Sequence, residues 1–289
     1  MNSLLNLIVN GLATGMLVFL LAAGLTLIFG LMSVLNFAHG GLFAWGAYGG
    51  VWLYGLTGSF AAALAGAVVI GMLLGWVMER VVIRPVYGNH VQQILVTLGA
   101  MLVLSELLKV VFTPNPLKAE TPAWLSGSWD AGGVILIKYR LFIILVGALV
   151  YIGLTLLLRR TRIGLIVRAG VANPDMVQAL GINIRLVFTL VFMFGAGLAA
   201  FGGALLAPYS GVVFSEMGMQ FAILAFIVVV IGGMGSIQGS ALASLLVGLS
   251  GALMAYYVPD LSLAANMLLM VLVLLVRPSG LFGAKGGGA

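Results

Sequence analysis

The chain has 289 residues, 63% of them hydrophobic and 7% charged, with a net charge of +6 and 41 glycines. An ordinary soluble domain carries roughly 25% charged residues, so this composition cannot supply a polar coat and the bilayer must be the solvent. With no Cys and two His, disulfides, thiolate metal sites and Cys catalysis are excluded and little is left for a metal centre. The positive balance is no sign of nucleic-acid binding, because Lys and Arg stand at the ends of apolar runs, where orientation signals belong.

Nine apolar segments follow in chain order, at about 4–31, 38–56, 59–79, 91–112, 139–158, 186–207, 219–233, 238–257 and 261–276. Most can cross about 30 Å of hydrocarbon at 1.5 Å per residue. The expected fold is therefore all-α: a polytopic transmembrane helical bundle of about eight to nine spans, in a single domain over 1–289. The first segment, opening MNSLLNLIVNG, lacks the Lys and Arg of a signal peptide and reads as the start of a span. Gly11/Gly15, Gly46/Gly50, Gly71/Gly75 and Gly235/Gly239 have the small-xxx-small spacing that lets membrane helices approach closely.

Between the first two segments, Asn36, His39, Gly40 and Gly41 interrupt the apolar pattern. Broken helices at membrane depth are tolerated where they line a cavity or are buried in protein, and transport sites use them. A packing or gating break is favoured there over a proton-carrying His39, since a lone His at a helix end more often bonds to backbone. Further on, Glu79-Arg80 ends the third segment and reads as structural. Glu106 and Lys109 have the i,i+3 spacing of an ion pair on one helix. The connection 113–138 holds Pro114, Pro116 and Pro122, which break helix, and Trp124 and Trp129, which suit a membrane interface. A landing surface for an external partner and a simple anchored connector are equal readings of it.

The loop 159–185, RRTRIGLIVRAGVANPDMVQALGINIR, carries five of the 13 basic residues. Asn173 is suited to cap a helix N-terminus, Pro174 to its first position, Asp175 to the positive end of its dipole and Gly181 to a left-handed stop. Met176, Val177 and Leu180 are expected on one face of this two-turn helix. Such a helix is too short to stand alone; it either rests on the spans or inserts into a groove on another protein. The segment 219–233 is short and runs into Gly232-Gly233-Met234-Gly235, as a half-helix would. Gly30-Leu-Met-Ser33-Val34 is echoed in Gly233-Met-Gly-Ser236-Ile237, a hint of repetition.

Lys and Arg set the orientation. The 159–185 loop should face the cytosol, and counting spans outward puts Arg80, Arg84, Arg277 and Lys285 on the same side. The N-terminus is then outside and the C-terminus cytosolic. No acidic pair lies at mid-membrane, and no phosphate loop, nucleophile elbow or H-E-x-x-H is present. Energy is therefore expected from another subunit.

Four ordered blocks now carry a resemblance over nearly the whole length: GLTLIFGLMSVLNFAHGGLFAWGAY (24–48), ERVVIRPVYG (79–88) with ILVTLGAMLVLSE (94–106), TRIGLIVRAGVANPDMVQALGI (161–182) and LLVRPSGLFG (274–283). The chain resembles the inner-membrane permease subunits of bacterial ABC importers for branched-chain amino acids. The resemblance implies two cytosolic ATPase subunits, a second related permease chain, a periplasmic substrate-binding protein and a multi-pass place in the bacterial inner membrane. It implies no catalytic residue, metal or cofactor in this chain, ATP and Mg being expected on the ATPases. It assigns ATPase coupling to Arg168, Asn173, Pro174, Asp175, Met176, Val177, Ala179, Leu180 and Gly181. It places Asn36, His39, Gly40 and Gly41 beside the translocation path. Similar-looking permeases carry urea, short amides and aromatic acids, and nothing in the residues excludes those cargoes. A stand-alone ion-coupled carrier would have only His39, Glu106 and Lys109 to work with.

Overall fold

The computed structural model describes residues 2–131 and 134–283. Among them are eleven α-helices: α1 (Asn2–Met32), α2 (His39–Thr57), α3 (Phe60–Val77), α4 (His90–Val111), α5 (Lys138–Arg160), α6 (Arg162–Ala172), α7 (Pro174–Ala179), α8 (Ile184–Ser210), α9 (Met217–Gly232), α10 (Ile237–Tyr257) and α11 (Ser262–Val276). All nine apolar segments are helices, so the all-α reading holds. Six, α1, α3, α4, α5, α8 and α10, are long and apolar enough to cross a membrane; α9 and α11 are shorter apolar helices. The protein is a multi-pass membrane protein built as a helical bundle.

Polar caps set many of the helix starts. Side chains of Ser59, Asn89, Thr161, Asn173, Asn183 and Ser236 each accept a backbone N–H from the first turn of α3, α4, α6, α7, α8 and α10. Each such cap stabilises its helix by about 1 kcal/mol. The end of α9 is closed by the last sequence block: Leu281 and Phe282 donate backbone N–H groups to the carbonyls of Ile231 (2.8 Å) and Gly232 (3.0 Å). These carbonyls are orphans of a helix C-terminus and need partners where water is excluded.

The buried α8 is the hub, and small residues let α1, α2 and α3 close on it. Gly24 of α1 presses on the Gly195 backbone, Gly46 of α2 on Ala200, and Gly75 of α3 on the Ala196 methyl. A second seam joins α1 to α10, running antiparallel. A methyl on Gly11 would lie 2.9 Å from the Leu249 Cα, and one on Gly15 2.8 Å from the Ser244 carbonyl oxygen. Further along, the hydroxyls of Thr26 and Ser240 meet at 2.6 Å, and Gly30 faces Gly235. Each small-residue pair named from spacing has at least one member at a helix contact, and the two echoing stretches, Gly30–Ser33 and Gly233–Ser236, touch each other.

The connection 112–137 is not purely irregular. Strand β1 (Leu117–Lys118) pairs antiparallel with β4 (Val212–Val213), and β2 (Ser128–Ala131) with β3 (Val134–Ile137). The first pairing straps this connection over the far end of α8. Helices α6 and α7 lie at the opposite end, between α5 and α8. Lys285 lies outside the described residues.

Candidate functional site

The basic end is built from α6 and α7. Sequence reading found only one short helix in this loop, yet Arg162–Ala172 forms a helix of its own. Gly164, Val167 and Gly170 recur every three residues and are buried; Gly170 sits against Leu31 of α1 and Ile184 of α8. Two of the three residues on that inward stripe are glycine, so it carries little hydrophobic signal in the sequence. Arg168 points away, exposed.

Helix α7 is capped as its residues predict. The Asn173 side chain accepts the Met176 N–H at 2.9 Å, Pro174 opens the helix, and Gly181 stops it with φ of 82°. The side chains of Pro174 and Asp175 lie outside the described ones. One expectation is corrected: Met176, Val177 and Leu180 do not share a face. Val177 is 3% exposed and holds the helix on the bundle, whereas Met176 is 59% and Leu180 73% exposed. Positions i and i+4 stack on one side of a helix while i+1 turns about 100° away. Ala179 and Gly181 are exposed as well. The result is a small helix anchored by one residue and presenting two large apolar side chains outward.

The second candidate region is the break between α1 and α2. Ser33 takes the left-handed conformation, φ 51°, and residues 33–38 leave the helix. His39 then lies beside Leu21, with Nε2 3.1 Å from its carbonyl oxygen, about three turns back along α1 from Met32. The break therefore doubles back along α1, and α2 starts level with the middle of α1. Its backbone is shielded by protein, as membrane depth requires. Gly40 is pressed on the Gly218 carbonyl and the Ala222 methyl of α9, and Gly41 on Leu104 and Met101 of α4. Phe37 stacks on Phe226 (4.4 Å) and Phe43 on Phe221 (5.0 Å), one pair on each side of the Gly40 contact. Asn36 is fully buried, and neither atom of its amide has a hydrogen-bond partner among the described residues; the same is true of His39 Nδ1. His39 thus does bond to backbone. All four break residues are buried: Gly40 and Gly41 in a tight contact of α2 with α9 and α4, and His39 against α1.

A third cluster was read only in part. Glu79 is fully buried, and its partner is Arg84 rather than the adjacent Arg80. Arg84 donates Nε to Oε1 (3.2 Å) and Nη2 to Oε2 (3.0 Å). The Tyr87 hydroxyl donates to Oε1 at 2.6 Å, and the Thr189 hydroxyl of α8 lies 2.9 Å from Oε2. Burial first, and then the bond to Glu79, hold the Tyr87 phenol above its ordinary pKa, so it stays a donor. Arg80 instead lies over the Trp76 ring. The Glu106–Lys109 pair forms as its spacing predicts, at 2.9 Å, and Lys109 adds an ion pair to Glu216 at 3.1 Å. That second partner is remote in sequence and had no local signal. Among the described residues no group of His, Asp or Glu could hold a metal ion.

The bundle of long apolar helices defines a multi-pass membrane protein, and comparison with known proteins gives its class. The chain belongs to the family described as branched-chain amino acid transport system / permease component, whose pattern matches residues 7–276. It is 32% identical to the high-affinity branched-chain amino acid transport system permease protein LivH of Salmonella typhimurium, over 95% of this chain and 94% of that one. It is also 32% identical to BraD of Pseudomonas aeruginosa, over 96% of this chain and 94% of the relative. LivM of Escherichia coli is 29% identical over 92% of this chain and 68% of its own length.

Proposed function

We propose that the chain is the membrane-spanning permease subunit of an ABC importer that moves branched-chain, hydrophobic amino acids across the bacterial inner membrane. The observation that carries this reading is the match over 95% of the chain to a relative named as a high-affinity branched-chain amino acid permease. Power comes from two cytosolic ATPase subunits, which bind ATP and Mg and engage Arg168 and the Asn173–Gly181 segment. The outward Met176 and Leu180 support that role, because a two-turn helix with exposed apolar side chains is completed by a groove on a partner. The basic end then faces the cytosol. The similarity to both LivH and LivM supports pairing with a second, related permease chain. A periplasmic binding protein delivers the cargo.

In the proposed cycle, ATP draws the ATPases together, α6 and α7 move with them, and the spans switch between inward- and outward-facing states. Residues Asn36, His39, Gly40 and Gly41 flank the path. A rigid seam closed by glycines and stacked Phe pairs suits a gate, since close-packed contacts have discrete arrangements rather than a continuum. The Gly and Phe residues that form the seam are uncharged, which fits a zwitterion with an apolar side chain that need be held only weakly there.

The test is uptake of labelled leucine into liposomes holding this chain with its partner permease and ATPases, with loaded binding protein outside. ATP-dependent uptake supports the reading. Uptake that persists without the ATPases and collapses with the proton gradient would replace it with an ion-coupled carrier.

A further inference from the structure

The Glu79 cluster joins two parts of the chain 110 residues apart, and its position gives it a task. On one side is the start of α8, which follows α6 and α7 directly. Asn183 caps α8 by accepting the Leu186 N–H at 3.2 Å, and Thr189 sits in its second turn. On the other side is the junction between α3 and α4. There Met78–Ile83 is π-helical, and Arg84–Val86 tightens into a 3-10 turn containing Pro85.

The π segment is what makes the cluster. In an α-helix, residues five apart project about 140° from each other. The i to i+5 bonding of a π turn closes that angle; the Arg84 N–H indeed bonds the Glu79 carbonyl. Arg84 is thereby brought over Glu79 and grips it with two bonds. The carboxylate, with no exposed surface, also receives Tyr87, while Thr189 takes a bond from Arg84 Nη2 at 2.8 Å. The Tyr87 ring meets Phe188 edge-on at 5.8 Å, next to Thr189. Polar and aromatic contacts thus fasten the first turns of α8 to the α3–α4 junction. Single-turn π segments cluster at functional sites, and this one follows the Gly71 and Gly75 contacts through which α3 packs on α8.

We infer that Glu79 is a positioning residue for transport: through Thr189 it ties the α3–α4 junction to α8, so that motion arriving at α6 and α7 moves α3 and α4 together with α8. The inference rests on the proposed import function and deepens it. A tie of this kind is distinct from the docking surface, because Glu79, Arg84, Tyr87 and Thr189 are all outside α6 and α7. It predicts that loosening the tie leaves the ATPases attached and hydrolysing ATP while less cargo is moved per ATP.

The experiment uses the complete reconstituted complex and measures leucine uptake per ATP hydrolysed. Thr189→Val removes the polar tie to α8, the bonds to Glu79 and Arg84, and leaves the Glu79–Arg84–Tyr87 contacts and the Tyr87–Phe188 ring contact in place. Thr189→Ser restores the hydroxyl. Thr189→Val should assemble with the ATPases, unfold cooperatively at a somewhat lower thermal midpoint, as loss of a bond to a buried carboxylate requires, keep its basal hydrolysis, and lose about tenfold in uptake per ATP, in the range of ordinary coupling energies. Thr189→Ser should recover it. Wild-type stoichiometry in Thr189→Val overturns the inference, and so does failure of that variant to assemble, which would make the contact a folding element. Wild-type complex that moves no leucine with ATP defeats the functional reading instead, so the two failures are separable.

Discussion

Val177 of α7 and Leu180, the residue that caps its C-terminus, should respond oppositely to the same substitution. Leu180 is 73% exposed in the free chain, Val177 3%. Full burial of a Leu side chain is favourable by about 1.5–3 kcal/mol, so covering the exposed share of Leu180 in a partner groove contributes roughly 1–2 kcal/mol. Leu180→Ala should then weaken ATPase binding by about 5- to 30-fold. Leu180→Asp adds the desolvation of an unpaired carboxylate, several kcal/mol, which takes association below detection. Neither change should unfold the spans, because Leu180 has almost no intramolecular contact to lose. Val177→Asp is the counter-case: it places a charge under α7, and α7 should detach from the bundle. The assay is co-purification in detergent with tagged ATPase subunits, alongside thermal unfolding of the permease. If Leu180→Asp binds as tightly as wild type, the dock lies elsewhere and the role given to α7 is wrong.

Other outcomes follow from the same geometry. Gly46→Val drives a branched side chain into the Ala200 backbone of α8; overpacking of this kind costs about 1–3 kcal/mol or more, read as a lower thermal midpoint. Gly99→Ala and Gly153→Ala meet nothing within 4 Å and should instead be neutral or gain up to about 1 kcal/mol from helix propensity. Uptake by wild type and by His39→Gln should both be insensitive to a collapsed proton gradient; a wild-type requirement for the gradient, with uptake lost in this variant, would revive His39 as a proton carrier. The Glu216 carboxyl is held below its ordinary 4.5, chiefly by the Ser215 hydroxyl and the backbone, with Lys109 adding to them. A depressed carboxylate stabilises the fold above its unfolded pKa and loses that contribution as pH falls through the folded value. Glu216→Gln should therefore lie below wild type in thermal midpoint at pH 7, and the two should converge in acid.

How much of this could be read from residues depends on whether the determinant is local. A run of twenty apolar residues has one backbone solution in lipid, because every N–H and C=O must be satisfied within the segment; the nine helices were legible for that reason. Asn173 and Gly181 act on backbone groups within four residues, so the ends of α7 were legible too. What failed had its cause elsewhere in the chain. Whether Val177 turns in or out is decided by what lies beneath it, and α6 was missed because its inward stripe of Gly164, Val167 and Gly170 is two-thirds glycine and has little hydrophobic signal. Glu79 looked like the neighbour of Arg80, but adjacent residues on a helix diverge, and only a π turn, invisible to a 3.6-residue period, delivers Arg84. The unpartnered amide of Asn36 belongs to the same class: the sequence marks it as a polar interruption, while its complete burial makes it costly, by about 1–3 kcal/mol for a buried unsatisfied group. A cost of that size, placed in the buried break that leads into the seam between α2 and α9, is best understood as the bias of a two-state contact. It makes the closed seam less stable than an apolar residue would, and so easier to open. Asn36→Leu should then stabilise the closed chain against heat while slowing uptake; a variant that gains neither stability nor delay would show that the amide is merely tolerated.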